Sequence, residues 1–209
     1  MHHLVLLLLS VPAWAGPAPA APSTAIKWGA YVDAYYSYDF GRPSQSDRVF
    51  VTQASRNNEW NINLAYIEAE IQTRRTRGRL ALQAGTAAQA LHQGEANSDP
   101  FGGPNLYRFL QEAYAGWQFT DGAWVDVGVF FSHIGSDSFI TSRNMGYTRT
   151  FLSDFSPDLA AGARFSFELG SGFSAQLHLL NGWQNIVDTN SNKALGAQLR
   201  WDAGDRLAW

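Results

Sequence analysis

The chain has 209 residues, no cysteine, a formal charge of −3 and a mean hydropathy of −0.22. A disulfide scaffold and thiolate metal sites are thereby excluded. With no basic run apart from Arg74, Arg75, Arg77 and Arg79 at one turn, the chain is not expected to bind nucleic acid.

Leu4 to Val11 is an apolar core of signal-peptide length, and Ala13-Trp14-Ala15 fits the small-x-small cleavage pattern, although no Lys or Arg precedes it. The expectation is a signal peptide over 1–15, cleaved before Gly16, then an extended Pro/Ala-rich linker over 16–27. Beyond it no apolar run approaches the roughly 20 residues of a membrane helix. Average hydropathy is blind, however, to strands whose apolar residues alternate with polar ones.

Trp28 to Tyr38 reads as the first strand. Trp28, Ala30, Val32, Ala34, Tyr36 and Tyr38 share one face, and Tyr31, Asp33, Tyr35 and Ser37 the other. After a polar stretch over 39–58, the second strand sets Trp60, Ile62, Leu64 and Tyr66 against Asn61 and Asn63. The phase then slips, and Ile67, Ala69 and Ile71 alternate with Glu68, Glu70 and Gln72; this reads as a β-bulge near Ala65, or as the strand leaving a membrane. A basic turn, Arg75 to Gly78, leads to a third strand with Leu80, Leu82, Ala84 and Thr86 opposite Arg79, Gln83 and Gly85. A loop rich in Gly, Pro, Asn and Asp spans 88–105.

Strand four, Tyr107 to Phe119, carries Ala113, Ala115, Trp117 and Phe119 opposite Glu112, Tyr114 and Gln118. Thr120-Asp121-Gly122 turns into strand five, with Val125, Val127, Val129 and Phe131 opposite Asp126, Gly128, Phe130 and Ser132. After a long stretch over 133–156 comes the clearest unit, a hairpin. Leu159, Ala161, Ala163, Phe165, Phe167 and Leu169 alternate with smaller or polar residues; Gly170-Ser171-Gly172 turns; Phe173, Ala175, Leu177 and Leu179 continue the pattern. Strand eight sets Leu195, Ala197, Leu199 and Trp201 against Gly196, Gln198 and Arg200.

These strands match the roughly 9–11 residues that cross a bilayer when tilted. Long and short connections alternate, as they do between the outer and periplasmic ends of an outer-membrane barrel. With the N-terminus periplasmic, Trp28, Trp117, Trp124 and Trp201 fall at inner strand ends and Trp60 and Trp183 at outer ends, where aromatic girdles sit. All but Trp124 are in the outward phase. The fold class is therefore all-β, an antiparallel up-and-down transmembrane β-barrel over 28–209. Arg206 to Trp209 would open a ninth strand, so the chain reads as an N-terminal portion of a longer barrel.

Several stretches resemble a known family in order along the chain. They are Tyr35 to Pro43 (YYSYDFGRP), Thr52-Gln53, Arg56 to Glu59, Asn61 to Ala65, Gly78 to Thr86 (GRLALQAGT), Ser132 to Gly135 (SHIG) and Leu180 to Gln184 (LNGWQ). The chain resembles the OmpL-like β-barrel porin family over Trp28 to Trp209. Two departures are Asp137, where the family more often has Glu, and the end of the chain, where family members continue through more strands. The resemblance implies an outer-membrane barrel and a pore, without a defined substrate or catalytic set.

Ser132, His133 and Asp137 contain the elements of a hydrolase triad, but adjacent strand residues point to opposite faces. They read better as loop anchors in the barrel mouth. Glu68 and Glu70 could pair for acid–base work; a solvated strand face is the simpler account. No metal or phosphate motif and no cofactor site is found. What remains is the inward face: Asp33, Tyr35, Asn61, Asn63, Arg79, Gln83, Glu112, Tyr114, Asp126, Arg164, Glu168, Gln176, His178, Gln198 and Arg200 are the pore-lining candidates. The expected function is passive diffusion of small hydrophilic solutes or ions through an outer-membrane channel, with lipid as the other partner and no enzymatic activity. The alternatives are a structural or adhesive barrel acting through its external loops and, more distantly, a lipid hydrolase. The 133–156 segment, with Phe139-Ile140 and Phe151-Leu152, is expected either to fold inward and narrow the pore, paired by charge to residues such as Arg164 and Glu168, or to pack over its neighbours outside the mouth.

Overall fold

The computed structural model describes residues 25–42, 44, 46–48, 51–93, 95 and 104–204. The signal segment 1–15, linker residues 16–24 and the start of a ninth strand at 206–209 lie outside the described residues. Eight strands form one antiparallel sheet in chain order. They are β1 (Ala25–Ser37), β2 (Glu59–Gln72), β3 (Thr76–Ala84), β4 (Leu110–Thr120), β5 (Ala123–Phe131), β6 (Leu159–Gly170), β7 (Phe173–Leu180) and β8 (Ala194–Trp201). Short turns at 73–75, 121–122 and 171–172 lie at one end; the long connections 38–58, 85–109, 132–158 and 181–193 all leave the other. Among the described residues no pairing joins β8 to β1, so the sheet is open.

A two-residue period sets burial along much of the wall, most plainly on β1, β3 and β8. On β1, Val32 is 68% exposed and the next residue, Asp33, 8%. Five tryptophans of the outward phase, Trp28, Trp60, Trp117, Trp183 and Trp201, are exposed, whereas Trp124 is buried on the inward face.

Element boundaries differ from expectation at several points: β1 stops at Ser37 before Tyr38, β3 begins at Thr76 inside the expected Arg75–Gly78 turn, and β5 stops at Phe131 before Ser132. β1 begins at Ala25, so the last residues of the linker over 16–27 are strand. Thr86 does not end β3 but opens α1 (Thr86–Leu91), and Tyr107 belongs to a helical turn, α2 (Pro104–Tyr107), rather than to β4. α1 forms because Ala87, Ala88 and Leu91 have an apolar site to fill, and Tyr107 of α2 packs against a separate cluster of Val129, Ala161 and Ile186. The bulge lies two residues earlier than Ala65. The β1–β2 register jumps between Asp33–Leu64 and Ala34–Ile62, leaving Asn63 as the extra residue. Asn63 and Leu64 are both fully buried, and Tyr66 follows Leu64 to the inside rather than joining Trp60 and Ile62 outside.

At the long-loop end the alternation lapses because loops cover the strands. Leu64, Tyr66 and Leu159 form a cluster with Ala87, Ala88 and Leu91 of α1 and with Phe139 and Ile140 of the β5–β6 connection. On the opposite phase from Phe130, Val129 and Ala161 are covered by Ile186 and Tyr107. Gly128 and Gly162 are register partners with φ of 139° and 152°, and a Cβ on either would press into the backbone oxygen of the next strand. The facing pair lets four strands, β4 to β7, approach where β5 and β6 turn under the loops.

The exposed apolar face of β6 and β7 gives a direct test of phase. Phe165→Arg or Leu177→Arg should cost roughly 2–4 kcal/mol of stability at mid-bilayer. Ser166→Arg or Gln176→Arg, on the inward face, should cost much less. Urea unfolding of the protein refolded in lipid vesicles measures both, and equal losses would contradict the assignment.

Candidate functional site

The inward face is organised by two arginine–carboxylate groups. In the first, Asp126 of β5 is fully buried and receives two guanidinium groups. Arg77 of β3 donates from Nε at 2.7 Å and Nη2 at 2.6 Å; Arg164 of β6 donates from Nε at 2.9 Å, with Nη2 also 2.9 Å away. Arg164 is the register partner of Asp126, but Arg77 lies two strands away. It reaches across Gly116 of β4, where a Cβ would collide with the Asp126 carboxylate and the Arg77 stem. Arg77 also stacks 4.5 Å over the Trp124 ring and Arg164 4.5 Å over Phe130, so both cations keep an aromatic face beside their carboxylate.

The second group reverses the ratio. Arg79 of β3 pairs with Glu68, lies 3.0 Å from Glu112 and 3.6 Å from Glu70. Glu68 lies across Gly29 of β1, again where a Cβ would collide. Glu112 also accepts the Phe131 N–H at 3.1 Å, because Gln111 is an extra residue in β4 and the ladder to β5 has already parted there. Glu68 and Glu70 are therefore not a freely solvated face, the simpler account of the sequence; they are held by one guanidinium.

A third carboxylate holds a loop. Asp33 accepts from Asn63 Nδ2 at 2.8 Å, Thr141 Oγ1 at 2.8 Å and Tyr147 O–H at 2.9 Å, and Tyr31 O–H meets the Thr141 hydroxyl at 2.7 Å. The 133–156 segment thus folds against the inward face of β1 and β2, with Phe139 and Ile140 buried. Its expected charge pairing to Arg164 and Glu168 does not occur: Arg164 is taken by Asp126, and Glu168 is exposed near the β6–β7 turn. Phe151 and Leu152, on the helical turn α3 (Phe151–Asp154), are exposed rather than buried. Arg149 instead closes the segment on itself, bonding Asp158 through both terminal nitrogens at 2.7 Å.

The other candidates distribute along the same face. Tyr35 O–H accepts the Arg56 N–H, Asn61 donates to Glu59, and Gln83 spans to the Arg108 and Leu110 carbonyls. Tyr114 stacks edge-on against Phe130, and His178 bonds Gln176 at 3.1 Å. Gln198 donates to the His133 carbonyl at 3.1 Å, and Arg200 lies 3.7 Å from Asp202. The three loop-anchor candidates go to three different places. Ser132 Oγ accepts the Ile134 N–H, His133 stacks on His178 at 4.0 Å between ring centres, and Asp137 accepts the Thr150 N–H. Arg77, Tyr31, Thr141 and Tyr147 escaped the sequence reading. Arg77 shares the parity of Arg79, and placing the strand start after Gly78 hid it in a turn.

Two outcomes follow. Asp126→Ala removes the buried carboxylate shared by two half-buried cations and should cost about 1.5–3 kcal/mol of stability, against little change for exposed Glu168→Ala; thermal unfolding in detergent measures both. His92, buried just past α1, is pushed from 6.5 down to about 4 by burial. The unfolded chain then binds the proton first, so stability should fall as pH drops from about 6.5 toward 4, by up to about 1.4 kcal/mol per unit. His92→Phe should flatten that part of the pH–stability curve.

No curated protein and no solved structure matches the chain. A family model described as "Putative beta-barrel porin-2, OmpL-like" matches residues 25–209, which take in all eight strands and every inward group above. The chain belongs to this family of β-barrel porins, and its general role is that of an outer-membrane porin.

Proposed function

We propose that the protein is a passive channel for small hydrophilic solutes, with the inward residues from Asp33 to Arg200 lining a water-filled path. The observation that carries this reading is the contrast between the two faces. Outward positions on β6 to β8 are Phe165, Leu177, Leu179, Leu195 and Leu199, all exposed, while the inward positions hold Arg164, Gln176, His178, Gln198 and Arg200. Apolar residues facing out and charged residues facing in suit a wall between lipid and water. Unpaired strand edges are costly in a hydrocarbon layer, so the reading also requires the free edges of β1 and β8 to be paired in the membrane. Export through a cleaved signal peptide, with the mature protein beginning near Gly16, belongs to the same proposal.

The 133–156 segment would narrow this path, since Phe139, Ile140 and Thr141 are fixed to the inward face. A second reading, an adhesive barrel, draws on the exposed Met145, Phe151 and Leu152 of the same segment. Planar-bilayer recording separates the two. A channel gives discrete conductance steps, and deleting Gly135 to Arg149 should raise the single-channel conductance. A folded, membrane-inserted protein without steps would favour the adhesive reading; an unchanged conductance after deletion would remove the constriction.

A further inference from the structure

A recess at the long-loop end lies beside the inward clusters. It measures about 810 Å³ and is walled by Asp47, Arg48 and residues 51–62, by α1 with Gly85 before it and Gln93 beyond it, and by the end of α3 with Phe155. That size suits a drug-sized or oligomeric small molecule. We propose that this cleft binds neutral saccharides and so selects them at the mouth of the path. The inference rests on the channel reading for its role in permeation, but not for the binding itself.

Charges are present, but most already face an opposite charge. Arg56 bonds Asp47 at 2.7 Å and Glu59 at 2.9 Å, and Asp154, which accepts from Thr52, lies 3.9 Å from Arg149; Arg48 donates to the Ala54 carbonyl. A guest that relied on charge would compete with these contacts, so the cleft suits a neutral guest. The amides of Gln89 and Gln93 differ. Gln89 lies on α1 and Gln93 two residues past its end; both are exposed, and their side-chain amides have no hydrogen bond among the described residues. Each amide offers both a donor and an acceptor, which matches a hydroxyl pair on a sugar edge. Phe155, 60% exposed, supplies apolar wall in the same recess together with Val51 and Ala90. A pyranose has both surfaces, hydroxyls at its rim and C–H groups on its faces. A purely apolar guest would leave the amides unpaired, and that mismatch is expensive.

The test uses the whole protein in detergent micelles and, separately, in planar bilayers. The probes are three neutral trisaccharides, built of glucose, galactose and N-acetylglucosamine, with triglycine as a polar non-sugar of similar size. At least one trisaccharide should give binding heat by titration calorimetry and transient block of the open channel, and triglycine neither. The Gln89→Ala/Gln93→Ala double variant should weaken that binding about tenfold, as expected for two lost neutral hydrogen bonds. Phe155→Ala should weaken it too, and Leu152→Ala, exposed but outside the cleft, should not. Heat from none of the three sugars, equal heat from triglycine, or unchanged binding in the amide variant would overturn the assignment. Sugar binding in a protein that shows no conductance would leave the cleft standing and overturn only the channel.

Discussion

Strand alternation confines every charge of a transbilayer segment to one face, and the sheet register then decides which of those charges can meet. Side chains directly opposite on neighbouring strands are within about 5.5 Å at Cβ, so Asp126 and Arg164 pair simply by being in register. Where the partner is two strands away, as with Arg77, the side chain must lie along the wall, and the intervening inward position has to be empty. Gly116 provides that space. The ion pairs of this face are thus consequences of register, and a one-residue slip would turn each charge outward.

The bulge at Asn63 does the complementary task for the loops. With one extra residue, β2 turns Asn63 and Leu64 both to the inside. Asn63 binds Asp33 and Leu64 becomes floor for α1, Phe139 and Ile140. Without the extra residue these two roles would compete for one inward position. The acidic group at Asp33 is answered by three neutral donors, two of them from the incoming loop. Neutral hydrogen bonds and an apolar patch are a weaker hold than a buried ion pair but do not demand desolvation of a second charge.

Most of the wall was legible because period two leaves little choice: Val32 against Asp33, Phe165 against Ser166 and Leu177 against Gln176 point where the sequence says they should. The bulge was legible as a phase slip but not its position. Leu64 and Tyr66 are apolar, and nothing local distinguishes an apolar residue facing lipid from one facing a packed loop. The same ambiguity hid α1. Thr86 continues the β3 alternation, and only the tertiary site for Ala87, Ala88 and Leu91 makes the chain turn helical there. The loop's destination was readable from Phe139-Ile140, which need burial, whereas its partners were not. Arg164 looked available because Asp126 sits 38 residues away in sequence and pairs with it only through the register of β5 with β6.

Glycine on the inward phase carries information of a kind that hydropathy does not. Gly29 and Gly116 look like gaps in an alternating pattern, small residues where a polar group is expected. Each is instead the bed on which a neighbour's carboxylate lies, Glu68 in one case and Asp126 in the other. A wall of fixed curvature has limited room for side chains along any one register row. Where one row carries two long arginines, Arg77 and Arg164, about a single aspartate, the position between them must give up its Cβ. An inward glycine flanked in register by inward charges therefore marks the point where an ion pair spans a strand, and that rule can be applied to sequence once strand pairing is known.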